Sequence, residues 1–133
     1  MSNPKKKVLI VDDDRDMLTL ISTFLKDEGY EIITARRGDE AYNFVLEHKP
    51  DLALIDGLIP IIHGFELSKK IKEDATITKK PKIIIMSSVY KSMKYKFETM
   101  DKFGADDYLV KPFSKEQLLS IIHKHASDLG NGT

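Results

Sequence analysis

Leu52-Ala53-Leu54-Ile55 is an unbroken apolar run that stops at Asp56, with Gly57, Pro60 and Gly64 close behind it. Four apolar residues without helical period suit a strand buried on both faces, and the residues that follow suit a loop. The same device recurs along the chain. Lys7–Val11 ends on Asp12-Asp13-Asp14, Lys82–Met86 ends on Ser87-Ser88, and Tyr108–Val110 ends on Lys111-Pro112. Glu31–Thr34 is a further short strand candidate. A strand buried on both faces needs a layer on each side, and that requirement narrows the possible folds more than any other feature here.

The intervening segments supply those layers. Met17, Leu18, Ile21, Phe24 and Leu25 recur at helical spacing after Asp14, a plausible N-cap, and Gly29 gives a stop. Ala41, Tyr42, Val45 and Leu46 mark a helix over Asp39–His48 that Pro50 ends. Phe65, Leu67 and Ile71 predict a helix over Gly64–Glu73, and Met93, Phe97 and Met100 predict a core-facing helix that closes near Gly104. Ser114 and Gln117 form a capping box ahead of Leu118, Leu119, Ile121 and Ile122. The polar stretch from Ser127 to Thr133 reads as a frayed tail. Five strands alternating with five helices predict an α/β fold, a doubly wound five-stranded parallel sheet covered on both faces. No linker or composition shift divides the 133 residues, so residues 1–133 read as a single domain with a folded core of about 5–126.

In a parallel sheet the ends of successive strands lie along one edge. Asp12, Asp13, Asp56, Ser87 and Lys111, each just past a strand, therefore converge on one pocket. Three carboxylates brought together repel, and a hard divalent cation relieves that repulsion. Magnesium takes oxygen ligands, keeps several waters and combines carboxylates with a phosphate. A lysine and a hydroxyl complete a set suited to phosphoryl transfer, and a carboxylate can itself be the nucleophile. There is no cysteine, which excludes disulfides and thiolate metal sites, and 21 basic residues balance 21 acidic ones. That balance gives no support for a nucleic acid or a membrane surface as the main partner, and the expected location is cytoplasmic.

These residues resemble the receiver domain of response regulators in bacterial two-component systems, of the chemotaxis-regulator type. The matching pieces are Val8 to Asp14, Asp56 with Pro60 and Gly64, Met86-Ser87-Ser88, and Gly104 to Phe113, and the likeness runs from about Lys5 to His125. The resemblance implies a flavodoxin-like (βα)5 fold with Asp56 as phosphoacceptor, served by a histidine kinase or a phosphotransfer protein. It implies Mg2+ or Mn2+ held by Asp13, Asp56 and the backbone carbonyl of Leu58, with Asp12 acting mostly through a water. Ser87 and Lys111 would contact phosphoryl oxygens, and the Lys111–Pro112 bond would be cis. Ser87 and Tyr108 would be the switch pair, altering the surface formed by a helix from about Lys91 to Phe103, the strand at Tyr108 and the last helix. The domain would assist its own phosphorylation and dephosphorylation without being an enzyme in the ordinary sense. It would be a monomer or a phosphorylation-dependent dimer.

Three positions set this chain apart within the family pattern. His63 stands before Gly64 where Asp or Asn is usual, and Leu58 and Val89 are both apolar at positions that tune water access, which predicts slow self-dephosphorylation. The stretch from Ser87 to Gly104, with Tyr90, Lys91, Lys94, Tyr95 and Lys96, is slightly longer than usual and leaves the start of its helix open. His48, His63, His123 and His125 form no ligand constellation and read as solvated surface residues. Two rivals compete with the receiver reading. A haloacid-dehalogenase-type phosphatase would use Asp12 and Asp14, but leaves Asp56 unexplained; a binding module that is never phosphorylated would have no use for the intact acceptor set. The few residues after the last helix are too short for an output unit, so both a stand-alone regulator and a receiver cut from a longer protein remain open.

Overall fold

The structure, a computed structural model, describes residues 5–88 and 93–130, apart from the side chains at 93–96, 99 and 128–130. Strands β1 (Lys7–Val11), β2 (Glu31–Ala35), β3 (Leu52–Asp56), β4 (Lys82–Ser87) and β5 (Asp107–Val110) alternate with helices α1 (Arg15–Asp27), α2 (Gly38–His48), α3 (Gly64–Glu73), α4 (Met93–Phe103) and α5 (Lys115–Gly130). The strands pair in parallel in the order β2-β1-β3-β4-β5. The order reverses at β1, so the crevice between the ends of β1 and β3 is the topological switch point, where such sheets bind ligands.

Side-chain alternation along the strands sorts the core into two layers. Leu9, Val11, Ala53, Ile55, Ile83, Ile85 and Tyr108 pack with Ala41 and Val45 of α2 and Leu67 and Ile71 of α3. Val8, Ile10, Leu52, Leu54, Ile84, Met86 and Leu109 pack with Leu18, Ile21 and Leu25 of α1 and Leu118 and Ile122 of α5. The three central strands are thus apolar on both faces, as the unbroken runs require. Each fully buried Leu or Ile contributes about 1.5–3 kcal/mol relative to an exposed one, which fixes the register firmly.

The local signals act as the sequence indicates. Asp14 caps α1, accepting from Asp16 N–H at 3.0 Å and Met17 N–H at 3.3 Å. At α5 the Ser114 N–H donates to Gln117 Oε1 at 2.8 Å, and Gln117 N–H donates to Ser114 Oγ at 3.0 Å, a complete capping box. Two features differ from expectation. Helix α5 runs on through Gly130, so Ser127 lies inside it. Helical period puts Phe97 on the core face with Met100; Met100 packs against Tyr108's layer, but Phe97 is 58% exposed. Helix α4 is described from Met93; Val89, Tyr90 and Lys91 lie outside the described residues, as do the side chains of Met93, Lys94, Tyr95 and Lys96.

Candidate functional site

Register decides which strand ends meet. Val11 pairs with Ile55, so Asp12 leaves β1 beside Asp56 at the end of β3. Asp56 pairs with Met86, which puts Ser87 one step further along β4. Ser87 pairs with Val110, and its carbonyl accepts from the Lys111 N–H at 2.9 Å, so Lys111 follows directly. The Lys111–Pro112 peptide is cis. Every residue placed at the pocket by sequence is brought to this one edge.

The geometry there is crowded with charge. Carboxylate oxygens of Asp12, Asp13 and Asp56 lie within 4.8 Å of one another. The Lys111 ammonium donates to Asp12 Oδ2 at 2.9 Å and to Asp56 Oδ2 at 3.1 Å. Backbone amides take the other oxygens: Asp14 N–H donates to Asp12 Oδ1 and Leu58 N–H to Asp56 Oδ1, both at 3.0 Å. Burial pushes the Asp12 carboxyl above the ordinary carboxylate range; bonds from Lys111 and the Asp14 amide oppose that push and the charge on Asp56 adds to it. Burial also works against the Lys111 ammonium, but its bonds to Asp12 and Asp56 outweigh this and hold its pKa above the usual lysine value.

One ammonium facing three carboxylates leaves an excess of negative charge. Hard oxygen donors graded from fully buried Asp12 to exposed Asp13 suit a small divalent cation that retains water. This is the described group of acidic or imidazole side chains with metal-ligand spacing.

The loop after β3 is fastened at several points. Gly57 N–H donates to the Met86 carbonyl at 2.9 Å, and Gly64 N–H to the Gly57 carbonyl at 3.0 Å. A Cβ on Gly64 would overlap the Asp56 carbonyl oxygen, so α3 starts directly against the backbone of the acceptor strand and only glycine permits it. His63 takes the N-cap position of α3 without a side-chain capping bond.

Sequence reasoning missed Arg36. Its Nη2 donates to the Asp13 carbonyl at 3.2 Å, and it lines a cleft with Asp13, Arg37, Glu40 and Pro60. Arg36 follows β2, the one strand whose end carried no recognised motif, so spacing gave no signal. The solvated reading of the histidines is corrected at His125, whereas His123 stays exposed although it is hydrogen-bonded. His125 is 5% exposed, and its Nε2 pairs with Asp107 Oδ2 at 2.9 Å. His123 bonds the Tyr30 hydroxyl at 2.7 Å through Nδ1 and Glu28 Oε1 at 3.0 Å through Nε2, tying α5 to the turn after α1. A signal was present for His125: it extends the buried stripe of Leu118 and Ile122 by one helical step.

Comparison with known proteins agrees with this geometry. Residues 8–123 match the family model described as the response regulator receiver domain. The chain is 35% identical over 115 residues to the phosphate regulon transcriptional regulatory protein PhoB of Pseudomonas aeruginosa, covering 86% of this chain and 49% of that protein. It is 37% identical over 122 residues to the response regulator GtcR of Aneurinibacillus migulanus, covering 88% and 46% respectively. The chain therefore spans about half the length of these curated relatives. Among solved structures, the chemotaxis response regulator CheY4 of Vibrio cholerae superposes with a TM-score of 0.82 at 31% identity, covering 92% of this chain and 99% of that one. The receiver domain of Francisella response regulator 1452 gives a TM-score of 0.83 at 30% identity, covering 94% and 99%. No helix among the described residues is long and apolar enough to cross a membrane. With a parallel sheet, an acidic cluster at its switch point and this likeness over nearly its whole length, the chain belongs to the response regulator receiver family of two-component systems, regulatory domains that are phosphorylated on aspartate.

Proposed function

We propose that Asp56 is the phosphoacceptor of this receiver, supplied by a histidine kinase or a phosphotransfer protein. The observation that carries the assignment is the placement of Asp56 within reach of Asp12, Asp13 and Lys111 at the switch point. A carboxylate oxygen of Asp56 attacks the phosphorus, the bond from phosphorus to the donor nitrogen breaks, and the phosphoryl group ends on Asp56 as an acyl phosphate. Asp13, Asp56 and the Leu58 carbonyl would hold Mg2+ or Mn2+, with Asp12 acting through a water. Bound there, the ion would supply charge neutralisation for the phosphoryl oxygens. Lys111, already bridging Asp12 and Asp56, exchanges a carboxylate partner for a phosphoryl oxygen. Ser87, buried at the end of β4, donates its hydroxyl to another.

The same placement supports a switch. Tyr108 is 6% exposed and packs in the layer shared with Met100 of α4. Movement of Ser87 toward a phosphoryl group changes the packing available to Tyr108, which biases two arrangements of the α4–β5–α5 face. A groove along β5 and α5, lined by Tyr108, Val110, Gln117, Ser120 and Lys124, is where a downstream protein would sense the difference. Leu58 is 61% exposed and apolar, so it cannot orient a water for hydrolysis, and the acyl phosphate is expected to persist for minutes or longer.

The test is intact mass after incubation with acetyl phosphate, with and without Mg2+, on the parent and Asp56→Asn. The reading requires one added phosphoryl mass that depends on both Mg2+ and Asp56. Steady release of phosphate from an ester, lost in Asp12→Asn and kept in Asp56→Asn, would favour a phosphatase instead.

A further inference from the structure

The carboxylates at the switch point are not held alike. Asp12 is fixed through both oxygens, by the Asp14 amide and by Lys111, and Asp56 likewise, by the Leu58 amide and by Lys111. Among the described residues no group bonds the Asp13 carboxylate, yet one of its oxygens stands within 4.8 Å of oxygens of the other two. Asp13 is exposed, so nothing packed around it stops the side chain from turning to water. Like charges drawn together repel, and an untethered carboxylate should swing away. Its placement therefore depends on its backbone.

That backbone is tied by Arg36, whose Nη2 donates to the Asp13 carbonyl at 3.2 Å across the ends of β1 and β2. Arg36 is itself firmly seated. Its N–H donates to Glu40 Oε1 at 2.8 Å, in the first turn of α2. The carbonyl just before it, of Ala35, accepts from the Asp12 N–H at 3.1 Å. Gly38 N–H donates to the Pro60 carbonyl at 3.1 Å, and a Cβ on Gly38 would collide with the Ile62 backbone, so this turn is packed against the loop after β3. The guanidinium thus reaches Asp13 from a fixed base. A guanidinium among acids ordinarily takes a carboxylate. Arg37 does so, donating from Nε to Asp39 Oδ1 at 3.0 Å. Arg36 makes no ion pair among the described residues; it holds the main-chain oxygen of Asp13 and leaves both carboxylate oxygens open.

We infer that Arg36 is a positioning residue for the divalent cation: its bond to the Asp13 carbonyl keeps the Asp13 carboxylate at the site against the repulsion of Asp12 and Asp56. This rests on the assignment of the cation to these carboxylates. Plain electrostatics argues the reverse, since a guanidinium near a cation site repels the ion and its removal tightens binding. Water and salt weaken that repulsion at an exposed side chain, whereas loss of an outer partner misplaces the ligand it held. The two accounts differ in sign.

Mg2+ is titrated calorimetrically into the parent, Arg36→Met and Arg37→Met, and the melting midpoint of each is read with and without the ion. Arg37→Met removes the same charge from the same cleft, where its partner is Asp39. Arg36→Met should weaken Mg2+ binding by at least about threefold. Arg37→Met should stay within about twofold of the parent, its charge being screened. The metal-free midpoint of Arg36→Met should lie within about 3 °C of the parent's, because the site is exposed and the freed carboxylate relieves repulsion. At one Mg2+ concentration, the rise above each protein's own metal-free midpoint should be smaller in Arg36→Met than in the parent. A purely structural tie would lower the midpoint with and without Mg2+ and leave that rise unchanged. Labelling of Asp56 by acetyl phosphate gives a further readout: the Mg2+ needed for half-maximal rate should increase by the same factor, while the rate at saturating Mg2+ stays within about twofold.

Mg2+ binding that tightens in Arg36→Met, or weakens by less than about threefold, overturns the inference. Equal weakening in Arg37→Met overturns it too. So does a fall in the saturated labelling rate with an unchanged Mg2+ requirement, since Arg36 would then act on the phosphoryl group. If the parent is labelled at Asp56 yet binds no Mg2+, the positioning role fails alone. If the parent binds Mg2+ but is not labelled, the phosphoacceptor assignment fails, while weakening in Arg36→Met still supports the positioning role.

Discussion

The two edges of the sheet treat charge in opposite ways. At the edge where the strands begin, Asp51 and Asp106 each have their own partners. Asp51 takes the Lys7 N–H at 2.8 Å and Lys79 at 2.8 Å. Asp106 takes Lys72 at 2.7 Å and the Ile83 N–H at 2.8 Å through the same oxygen. At the edge where the strands end, Asp12, Asp13 and Asp56 crowd together and Lys111 is shared between two of them. The first arrangement fastens β-strands to loops and is complete as it stands. The second carries an excess of negative charge, as sites that bind or react tend to.

Removing the shared cation should have the largest effect. Lys111→Met leaves buried Asp12 and Asp56 without an ammonium, so the metal-free protein should lose about 3–5 kcal/mol. Phosphorylation by acetyl phosphate should slow by roughly 10²-fold, since a fixed charge aimed at the phosphoryl oxygens is gone. Urea unfolding and single-turnover mass spectrometry read the two effects separately. At the complete edge, Asp106→Asn should destabilise by about 1–3 kcal/mol, because Lys72 and the Ile83 amide lose a charged acceptor. Its phosphorylation rate should match the parent's.

The contrast is sharpest where the sign reverses. Asp13→Asn at the site should stabilise the metal-free protein by about 0.5–1 kcal/mol, because it removes one of three mutually repelling charges at a solvent-screened position. If Asp13→Asn and Asp106→Asn both destabilise, the two edges are not different in kind.

The smallest effect concerns Asp74, which closes α3 at the complete edge and is held by Thr76 and the Tyr42 hydroxyl. These bonds, with Thr76 the larger influence, lower its pKa from 3.8 to about 2. A depressed carboxylate stabilises the fold above its unfolded pKa, and that contribution is lost as pH falls from 3.8 through about 2. Asp74→Asn should therefore lower the melting midpoint slightly near neutrality and flatten its pH dependence over that window, so that variant and parent converge as pH falls toward about 2.

The sequence made the unbalanced edge easier to read than the complete one. Asp12, Asp56, Ser87 and Lys111 each follow an apolar run, and a parallel sheet forces such positions together whatever the details of packing. The pairs at the other edge join distant segments, such as Lys72 with Asp106, and nothing in local spacing marks them. Helical period placed Phe97 and Met100 on one face but could not say how far neighbours cover it; Phe97 lies beyond that cover. His125 was hidden by its chemistry, since a titratable residue on a buried stripe looks like a surface one until its partner, Asp107, is known. Arg36 depends on backbone geometry between loops, which residue type alone does not disclose.

The measurement that bears most directly on the contrast is a calorimetric Mg2+ titration of the parent, Asp13→Asn and Asp106→Asn at neutral pH. One bound ion is expected in the parent and in Asp106→Asn, with affinity lost by at least about tenfold in Asp13→Asn, as removal of one ligand from a small carboxylate set requires. Saturating Mg2+ should raise the melting midpoint of the first two proteins only. Absence of binding in the parent, or equal affinity in all three, would contradict the claim that the acidic edge is built to be completed by a cation.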